Sequence, residues 1–358
     1  MRSPLHDLEH QLAARFAEEG GCEVPSSYQD PEGEYRAVRT DCGMADRCHR
    51  GKVSVEGPDA REFLHGFVTN DIKGLAEDAA CYAAILNLKG KMVADARVLG
   101  VDGKLLLDLE PGLAGAVAQH LDKYAIGVKV ELKDVSEELG SIGLYGPEAP
   151  RVLGTFLGEE VGPLPETQVL DCAFDGEPLW IAGSDLAGED GYDLIAARAL
   201  MPALWGALLA AGTGLRPVGT AALEILRVEA GVPRYGRDMD ENTIPLEAGL
   251  DHAISYTKGC YLGQEVIARI SHQGHVNRKL TGFVLDRGVR PAPGTKLLAA
   301  DRETGWLTTV VDSPALGRPV ALGLARREYL EPGTRLTLDG GLGEAVVHAL
   351  PFYRSGRR

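Results

Sequence analysis

Short blocks of apolar residues alternate with turn residues along most of the chain. Three stretches have the composition of β-strands joined by tight turns: residues 82–88, 92–99 and 104–109, with turns at Lys89-Gly90 and Asp102-Gly103. A helix is expected at 113–124, and a similar alternation of hairpins and helices continues to about residue 230. Because this order lacks a regular βαβ rhythm, it predicts an α+β fold.

The two ends of the chain have different patterns. Near the start, Leu8, Leu12 and Phe16 recur at helical spacing and predict a helix over residues 5–19. After Asn277 the helical patterns stop, and Gly and Pro separate six short apolar stretches: 280–285, 295–298, 306–311, 320–325, 335–338 and 344–348. This succession of short strands predicts a small barrel or sandwich.

The composition is typical of a globular protein with an acidic surface. Of the 358 residues, 44% are hydrophobic and 25% are charged, which suits two or three domains. The formal charge of −15 argues against direct nucleic-acid binding, because such binding depends on neutralising phosphates. The sequence shows no signal-peptide pattern and no long apolar stretch, so we expect no membrane span and no membrane partner.

The cysteines indicate a compartment and argue against a metal site. None of the six lies in a C-x-x-C motif, which predicts a reducing, cytoplasmic environment. Cys42, Cys48 and His49 lie close in sequence but lack a second ligand pair, so we interpret the cysteines as structural. We therefore predict no metal.

The segment KGCYLGQE, residues 258–265, is the most distinctive of the chain. A helix is expected from Gly263 onward, so Cys260 lies beside a helix N-terminus, where the dipole and local burial favour a thiolate. Lys258 adds positive charge nearby. These features predict a functional thiol at Cys260, and the alternative is a buried structural cysteine. The other motif residues are Gly259, Tyr261, Gly263, Gln264 and Glu265.

Several segments in a fixed order resemble the aminomethyltransferase family, the T-protein of the glycine cleavage system. They are AVRTDCGMAD (37–46), EFLHGFVTND (62–71), LNLKGKMVAD (86–95), LRVEAG (226–231), PLEAGL (245–250), GWLTTVVDSPALG (305–317) and PFYR (351–354). KGCYLGQE is similar to the signature of YgfZ-type folate-binding proteins, a branch of the same superfamily. The resemblance covers nearly the whole chain after residue 36.

The resemblance implies a catalytic carboxylate. The family's catalytic segment has two acids before a strand, and only the second is kept here, as Ala94-Asp95. Asp95 is then expected to contact the folate carrier near its reacting nitrogen, in acid–base chemistry or electrostatic support. The alternative is a surface aspartate at a strand edge, since alternation with Val93 does not determine the face.

The resemblance also implies cofactor-binding positions. Asp193, in Gly191-Tyr192-Asp193, occupies the position of a pterin-binding glutamate and is one methylene shorter. Further pocket positions are Asn87, Tyr124 and Arg227. Arg227 is equally explained by pairing with a glutamate of its own helix, either Glu224 or Glu229.

The architecture implied is a three-domain clover-leaf. Residues 1–36 form an N-terminal extension, 37–276 two interleaved folate-binding α+β domains, and 277–358 a C-terminal β-barrel. Tetrahydrofolate, or a one-carbon derivative, is expected in a central opening lined on one side by Arg or Lys.

Three functional classes compete. The first, favoured by the KGCYLGQE segment, is a tetrahydrofolate-binding protein that assists iron–sulfur cluster assembly or repair, with an indirect effect on tRNA modification. Its partners are folate and iron–sulfur enzymes or cluster-assembly proteins. The second is an aminomethyltransferase of the glycine cleavage system, and the third is a folate-binding scaffold without chemistry. The sequence leaves open whether the protein is an enzyme.

Overall fold

The computed structural model describes residues 2–356. The chain forms two compact units. The first comprises the chain up to Ile85 together with Ala94–Leu223, and the second comprises Leu86–Val93 together with the chain from Glu224 onward. The domain boundaries expected at residues 36 and 276 stay a prediction.

The first unit contains most of the helices and three β-sheets. Its strands are β1 (Arg15–Glu19), β2 (Cys22–Ser27), β3 (Cys42–Asp46), β4 (Gly51–Glu56), β5 (Ala79–Leu86), β6 (Met92–Val101), β7 (Lys104–Leu109), β8 (Glu131–Asp134), β9 (Leu139–Tyr145), β10 (Val169–Phe174), β11 (Glu177–Gly183), β12 (Gly191–Ala197) and β13 (Leu215–Pro217). Its helices are α1 (His6–Gln11), α2 (Pro31–Thr40), α3 (Ala60–His65), α4 (Ala114–Asp122), α5 (Ala149–Leu157) and α6 (Met201–Ala211), and α7 (Thr220–Glu229) begins in it.

The two larger sheets of this unit pack against each other. One has five strands in the order β5-β6-β7-β4-β8, and the other has six in the order β10-β11-β12-β9-β3-β13. Leu99 and Leu106 of the first meet Trp180 and Ile195 of the second in one apolar cluster. The interior strands of both sheets are therefore buried, which places any polar side chain on their inner faces out of contact with bulk water.

The second unit is built around a closed barrel. Its strands are β14 (Arg278–Leu285), β15 (Lys296–Ala299), β16 (Arg302–Ser313), β17 (Arg318–Arg326), β18 (Arg335–Leu338) and β19 (Gly343–His348), and its helix is α8 (Gln264–Gln273). The order around the barrel is β14-β17-β16-β15-β18-β19. Phe283, Leu297 and Leu336 fill its interior. Every strand predicted after Asn277 is present, so the barrel prediction is confirmed.

The helix predicted over residues 5–19 is wrong beyond its first turns. α1 ends at Gln11, and Ala13 has a φ of 58°, a left-handed conformation that stops a helix. Arg15–Glu19 then form β1, paired antiparallel with β2. The ring of Phe16 stacks on His6 at 4.5 Å, so the apolar spacing that suggested a helix instead brings a strand back onto α1.

The α+β class predicted from the alternating pattern is confirmed. Asp102 and Gly103 have φ values of 52° and 71°, the conformation of the tight turn predicted between β6 and β7. Within residues 2–356, no helix is both long and apolar enough to cross a membrane.

Candidate functional site

Asp95 belongs to a row of polar side chains that crosses four strands of the five-stranded sheet. Leu109 pairs antiparallel with Ala96 on one side and with Gly51 on the other. In an antiparallel register, the residue after Leu109 lies opposite the residues before Ala96 and Gly51. Glu110 therefore lies between Asp95 and Arg50. Tyr82 of β5 contacts Asp95 from the far side. These four residues, Arg50, Glu110, Asp95 and Tyr82, are called the Asp95 row.

The two carboxylate oxygens of Asp95 have different surroundings. Oδ2 accepts a short hydrogen bond from the Tyr82 hydroxyl, whereas the buried Oδ1 has no hydrogen-bond partner within residues 2–356. Burial raises the pKa of Asp95 to about 6, and the charge of Glu110 adds to the rise, while Tyr82 and Arg50 oppose it. The side chain is buried on an interior strand, so the alternative of a surface aspartate at a strand edge is wrong.

A second charged row lies two residues further along the same strands. Asp108 pairs with Lys52 of β4 and Arg97 of β6, and these three residues are called the Asp108 row. Lys52 Nζ lies 2.9 Å from Asp108 Oδ1, and Arg97 Nη2 lies 3.4 Å from Oδ2. Arg50 Nε donates to both oxygens at 3.0 Å. Although burial acts in the opposite direction, these cations hold the pKa of Asp108 well below its usual range.

Asp193 lies on β12 of the six-stranded sheet and is joined to the Asp108 row. Its Oδ2 accepts from Arg97 Nη2 at 2.7 Å, and its Oδ1 accepts from the Tyr145 hydroxyl at 2.6 Å. Burial opposes ionisation, but Arg97 and Arg47 hold the pKa of Asp193 below its usual value. Both oxygens thus have partners inside the first unit, and the predicted contact with a pterin stays a prediction.

Tyr124 follows α4 and belongs to an aromatic cluster. Its ring lies 4.8 Å from Phe67 and 5.8 Å from His120, measured between ring centroids. The side chain is partly exposed. The structure gives it no polar contact with the two charged rows, and its place in a cofactor pocket stays a prediction.

In the second unit, the KGCYLGQE segment builds the start of α8. The Tyr261 N–H donates to Gln264 Oε1 at 3.3 Å, and the Gln264 N–H donates to Tyr261 O at 3.1 Å. The Lys258 ammonium lies 5.1 Å from the centroid of the Tyr261 ring, a cation–π contact. Cys260 is exposed, so the predicted burial of its thiol is wrong, and burial would raise a thiol pKa rather than favour the thiolate. Gly259 and Glu265 are also exposed.

Asn87 shapes the tip of the β5–β6 hairpin, which belongs to this second unit. Its side-chain oxygen accepts from the N–H groups of Lys89 at 2.8 Å and Lys91 at 3.2 Å. Gly263 has a φ of 83°, and a Cβ there would lie 2.7 Å from the Asn87 carbonyl oxygen. Glycine is thus required where the motif segment meets the hairpin, which gives both residues a structural role.

The guanidinium of Arg227 uses all of its hydrogen-bond donors within the second unit. Its Nε and Nη2 donate to the two carboxylate oxygens of Glu224 at 2.7 and 2.5 Å. Nη1 donates to Asp238 Oδ2 at 2.7 Å and Val232 O at 2.9 Å, and Nη2 also donates to Thr309 Oγ1 at 3.2 Å. A guanidinium has five N–H donors, and all five have acceptors here. Of the two helical pairings considered from the sequence, the structure has the one with Glu224.

The sequence analysis missed most of the two charged rows. Their signal is a pair of charged residues two apart at or beside an otherwise apolar strand: Arg50 and Lys52, Asp95 and Arg97, and Asp108 and Glu110. Residues two apart share one face of a strand. Such pairs next to buried strands indicate a buried polar layer, which the apolar pattern alone does not show.

Comparison with known proteins gives relatives that match along the whole chain. An aminomethyltransferase of Rubrobacter xylanophilus is 34% identical over 362 residues, covering 99% of this chain and 95% of the relative. An aminomethyltransferase of Pelodictyon phaeoclathratiforme is 32% identical over 359 residues, covering 98% of each. The crystal structure of glycine cleavage system aminomethyltransferase T from Bartonella henselae superposes with a TM-score of 0.91 at 26% identity, covering 99% of this chain and 98% of that one. The predicted aminomethyltransferase fold is confirmed.

These relatives overturn the function that the sequence favoured. They match the chain from end to end and are named aminomethyltransferase, so the role in iron–sulfur cluster assembly is wrong. The iron–sulfur partners and the indirect effect on tRNA modification depended on that role, and the YgfZ-type branch is not supported. The error came from giving one eight-residue segment more weight than the whole chain, although local contacts of Lys258, Tyr261 and Gln264 account for much of that segment.

Two family models match consecutive parts of the chain. The GCVT N-terminal domain matches residues 5–258, and the glycine cleavage T-protein C-terminal barrel domain matches residues 278–354. The second match coincides with the closed barrel. The chain therefore belongs to the glycine cleavage T-protein family.

Proposed function

We propose that the protein is an aminomethyltransferase that transfers a one-carbon unit to tetrahydrofolate. Family membership bears out tetrahydrofolate as the cofactor, and the full-length relatives support the reaction. The observation that carries the proposal is the state of Asp95, a buried carboxyl group with one oxygen held and the other without a partner in residues 2–356.

The unpartnered oxygen fits a ligand that brings a donor. A buried acceptor without a hydrogen bond destabilises the protein by about 1–3 kcal/mol, and such groups in native proteins call for an explanation. Tetrahydrofolate, when bound, supplies N–H groups and the nitrogen nucleophiles that take up the one-carbon unit. Asp95 Oδ1 is the acceptor that we assign to such an N–H group, while Tyr82 holds Oδ2 in place.

The pKa of Asp95 suits it to proton transfer near neutral pH. Because burial and Glu110 raise that pKa to about 6, both the acid and the carboxylate are populated under physiological conditions. Transfer of the one-carbon unit breaks two bonds of that carbon, one to the leaving amine and one to the carrier sulfur, and each leaving group takes up one proton. The two protons come from the two nitrogens that bond the carbon. Asp95 can donate a proton from its carboxyl group to the leaving amine and recover one as a carboxylate from one of these nitrogens, while the other proton passes to the carrier sulfur.

The test is a transferase assay with a lipoylated carrier that bears the aminomethyl group. The wild-type protein should produce methylene-tetrahydrofolate, and Asp95→Asn should lower kcat by about 10²–10⁴-fold. Asp102→Asn is the matched control, since Asp102 lies in an exposed turn where asparagine adopts the same backbone conformation. Saturable tetrahydrofolate binding without any turnover by the wild type would reject the proposal in favour of the non-catalytic scaffold.

A further inference from the structure

We propose that Glu110 is the second carboxylate of the site, a positioning residue that makes Asp95 the proton-carrying member of an acid pair. The role in the reaction rests on the proposed function, whereas the acid pair itself does not. Residue 94, next to Asp95 in the chain, is alanine, so Asp95 is the one carboxylate of the Ala94-Asp95 pair. In this chain the second carboxylate comes from the neighbouring strand instead of from the same segment.

The register of the sheet brings the two carboxylates together. β6 and β7 pair from Val101 opposite Lys104 to Ala96 opposite Leu109, and one further step places Asp95 opposite Glu110. Directly opposed residues on one face of an antiparallel pair have Cβ atoms about 4.5–5.5 Å apart. Both side chains have little access to bulk water, because Asp95 is buried and the side chain of Glu110 is 15% exposed.

Cations are distributed unequally between the two carboxylates. Arg50 Nη1 lies 2.5 Å from Glu110 Oε1, and Arg50 Nε is engaged with Asp108. Asp95 has no ion pair within the described residues, and its direct partner is the neutral hydroxyl of Tyr82. When two like charges approach in a buried site, the carboxyl without a cation takes the proton. Of the two carboxylates, Asp95 is therefore the one that takes up the proton.

The charged and titratable groups near Asp95 come from every neighbouring strand. They are Tyr82 of β5, Glu110 and Asp108 at the end of β7, Arg50 and Lys52 at the start of β4, Arg97 of β6 itself, and Asp193 with Arg47 from the six-stranded sheet. Of these, Glu110 and Arg50 act on Asp95 most directly, in opposite directions, and burial adds to the effect of Glu110. The group whose removal most favours ionised Asp95 is thus Glu110.

The acid pair is tested by carboxyl ¹³C NMR on the full chain labelled at aspartate, with the Asp95 signal assigned by its loss in Asp95→Asn. In the wild type the Asp95 signal should titrate with a midpoint near pH 6. In Glu110→Gln the midpoint should fall toward the ordinary value for aspartate. Glu77→Gln is the matched control, because Glu77 pairs with Arg61 at 2.6 Å and does not belong to the Asp95 row. An unchanged midpoint in Glu110→Gln would overturn the proposal.

A second variant, Glu110→Asp, gives a result even if Glu110→Gln does not fold. Glu110→Asp keeps the charge on a shorter side chain and should retain a midpoint above the ordinary aspartate value. A midpoint at the ordinary value in Glu110→Asp would also overturn the acid pair, whether or not Glu110→Gln folds.

The role in the reaction is tested by the pH dependence of kcat/KM. Because the protonated form of Asp95 donates, kcat/KM in Glu110→Gln should begin to decline at a lower pH, with about a tenfold loss at pH 7 for each pH unit of displacement. A profile that coincides with wild type while the NMR midpoint moves would overturn the positioning role. Absence of turnover in every variant would reject the proposed function, and the NMR titration would still decide the acid pair.

Discussion

The Asp95 row and the Asp108 row lie side by side on one face of the same sheet, and they differ in how their carboxylates are paired. Asp108 receives hydrogen bonds or ion pairs from Arg50, Lys52 and Arg97, and its pKa lies well below the usual range. Among residues 2–356, Asp95 has one neutral donor and one oxygen without a partner, and its pKa is raised to about 6. Burial is common to both, so pairing alone separates a carboxylate that stabilises the fold from one that is available for chemistry.

The same difference gives the two residues opposite effects on stability as pH changes. A carboxyl group with a lowered pKa contributes stability above its ordinary pKa and loses it as pH falls. One with a raised pKa is most favourable to folding at low pH, and it costs stability as pH rises through the ordinary value toward 6. Substitutions at the two positions therefore test whether pairing is the deciding factor.

The largest expected effect is the loss of stability in Asp108→Asn. Removing this charge leaves Lys52 fully buried without its carboxylate, and breaking a buried ion pair in this way typically costs about 3–5 kcal/mol. Urea unfolding at pH 7 should show the loss, with Asp102→Asn as a control that stays within about 0.5 kcal/mol of wild type. The difference should shrink as pH falls below the ordinary aspartate pKa. A variant as stable as wild type at pH 7 would show that the Asp108 row is not a stabilising network.

Asp95→Asn should have the opposite sign. Its raised pKa means that ionised Asp95 destabilises the fold, by a free energy on the order of 3 kcal/mol above pH 6. The variant should therefore be more stable than wild type at pH 8 and equal to it near pH 3, while its transferase activity is lost. Urea unfolding at the two pH values measures this. Lower stability at pH 8 would mean that Asp95 is a structural carboxylate like Asp108.

The fold was predictable wherever local patterns were sufficient. The barrel strands were found because each is short and bounded by Gly or Pro, and the turn at Asp102-Gly103 because its residues favour a left-handed backbone. The N-terminal helix failed because Leu8, Leu12 and Phe16 suit a helix as well as a helix followed by a returning strand. The left-handed Ala13 that decides between them has no sequence signature.

The site was predictable in part. Resemblance singled out Asp95, but its burial and its pairing depend on strand register, which brings together residues far apart in the chain. Glu110 was missed for that reason. The functional role predicted for Cys260 stays a prediction, because a helix end and a nearby lysine can be recognised in a sequence, whereas the exposure of the thiol cannot.

A smaller effect is expected from Tyr82→Phe, which removes the hydrogen bond that the Tyr82 hydroxyl donates to Asp95. The Tyr82 hydrogen bond lowers the Asp95 pKa, so its loss should move the NMR midpoint above pH 6 and cost about 1 kcal/mol of stability. Tyr28→Phe is the matched control, because the Tyr28 hydroxyl donates to the buried Glu9 at 2.9 Å, away from both rows. A downward movement of the Asp95 midpoint in Tyr82→Phe would contradict the arrangement described.

The smallest expected effect is that of Cys260→Ser. This residue lies in the KGCYLGQE segment, which was the main reason for the function predicted from the sequence. Of the six cysteines, all within residues 2–356, Cys22, Cys42 and Cys48 are buried, Cys81 and Cys172 are partly buried, and Cys260 is exposed. Burial raises the pKa of the Cys42 thiol to about 12, which suppresses its reactive thiolate, and it also raises the pKa of Cys172. Iodoacetamide at neutral pH should therefore label Cys260 first, as mass spectrometry of digested protein would show.

Because the side chain is exposed, Cys260→Ser should change stability by less than about 0.5 kcal/mol and leave tetrahydrofolate affinity intact by calorimetry. A larger loss of either would mean that this segment, and not the Asp95 row alone, supports the cofactor.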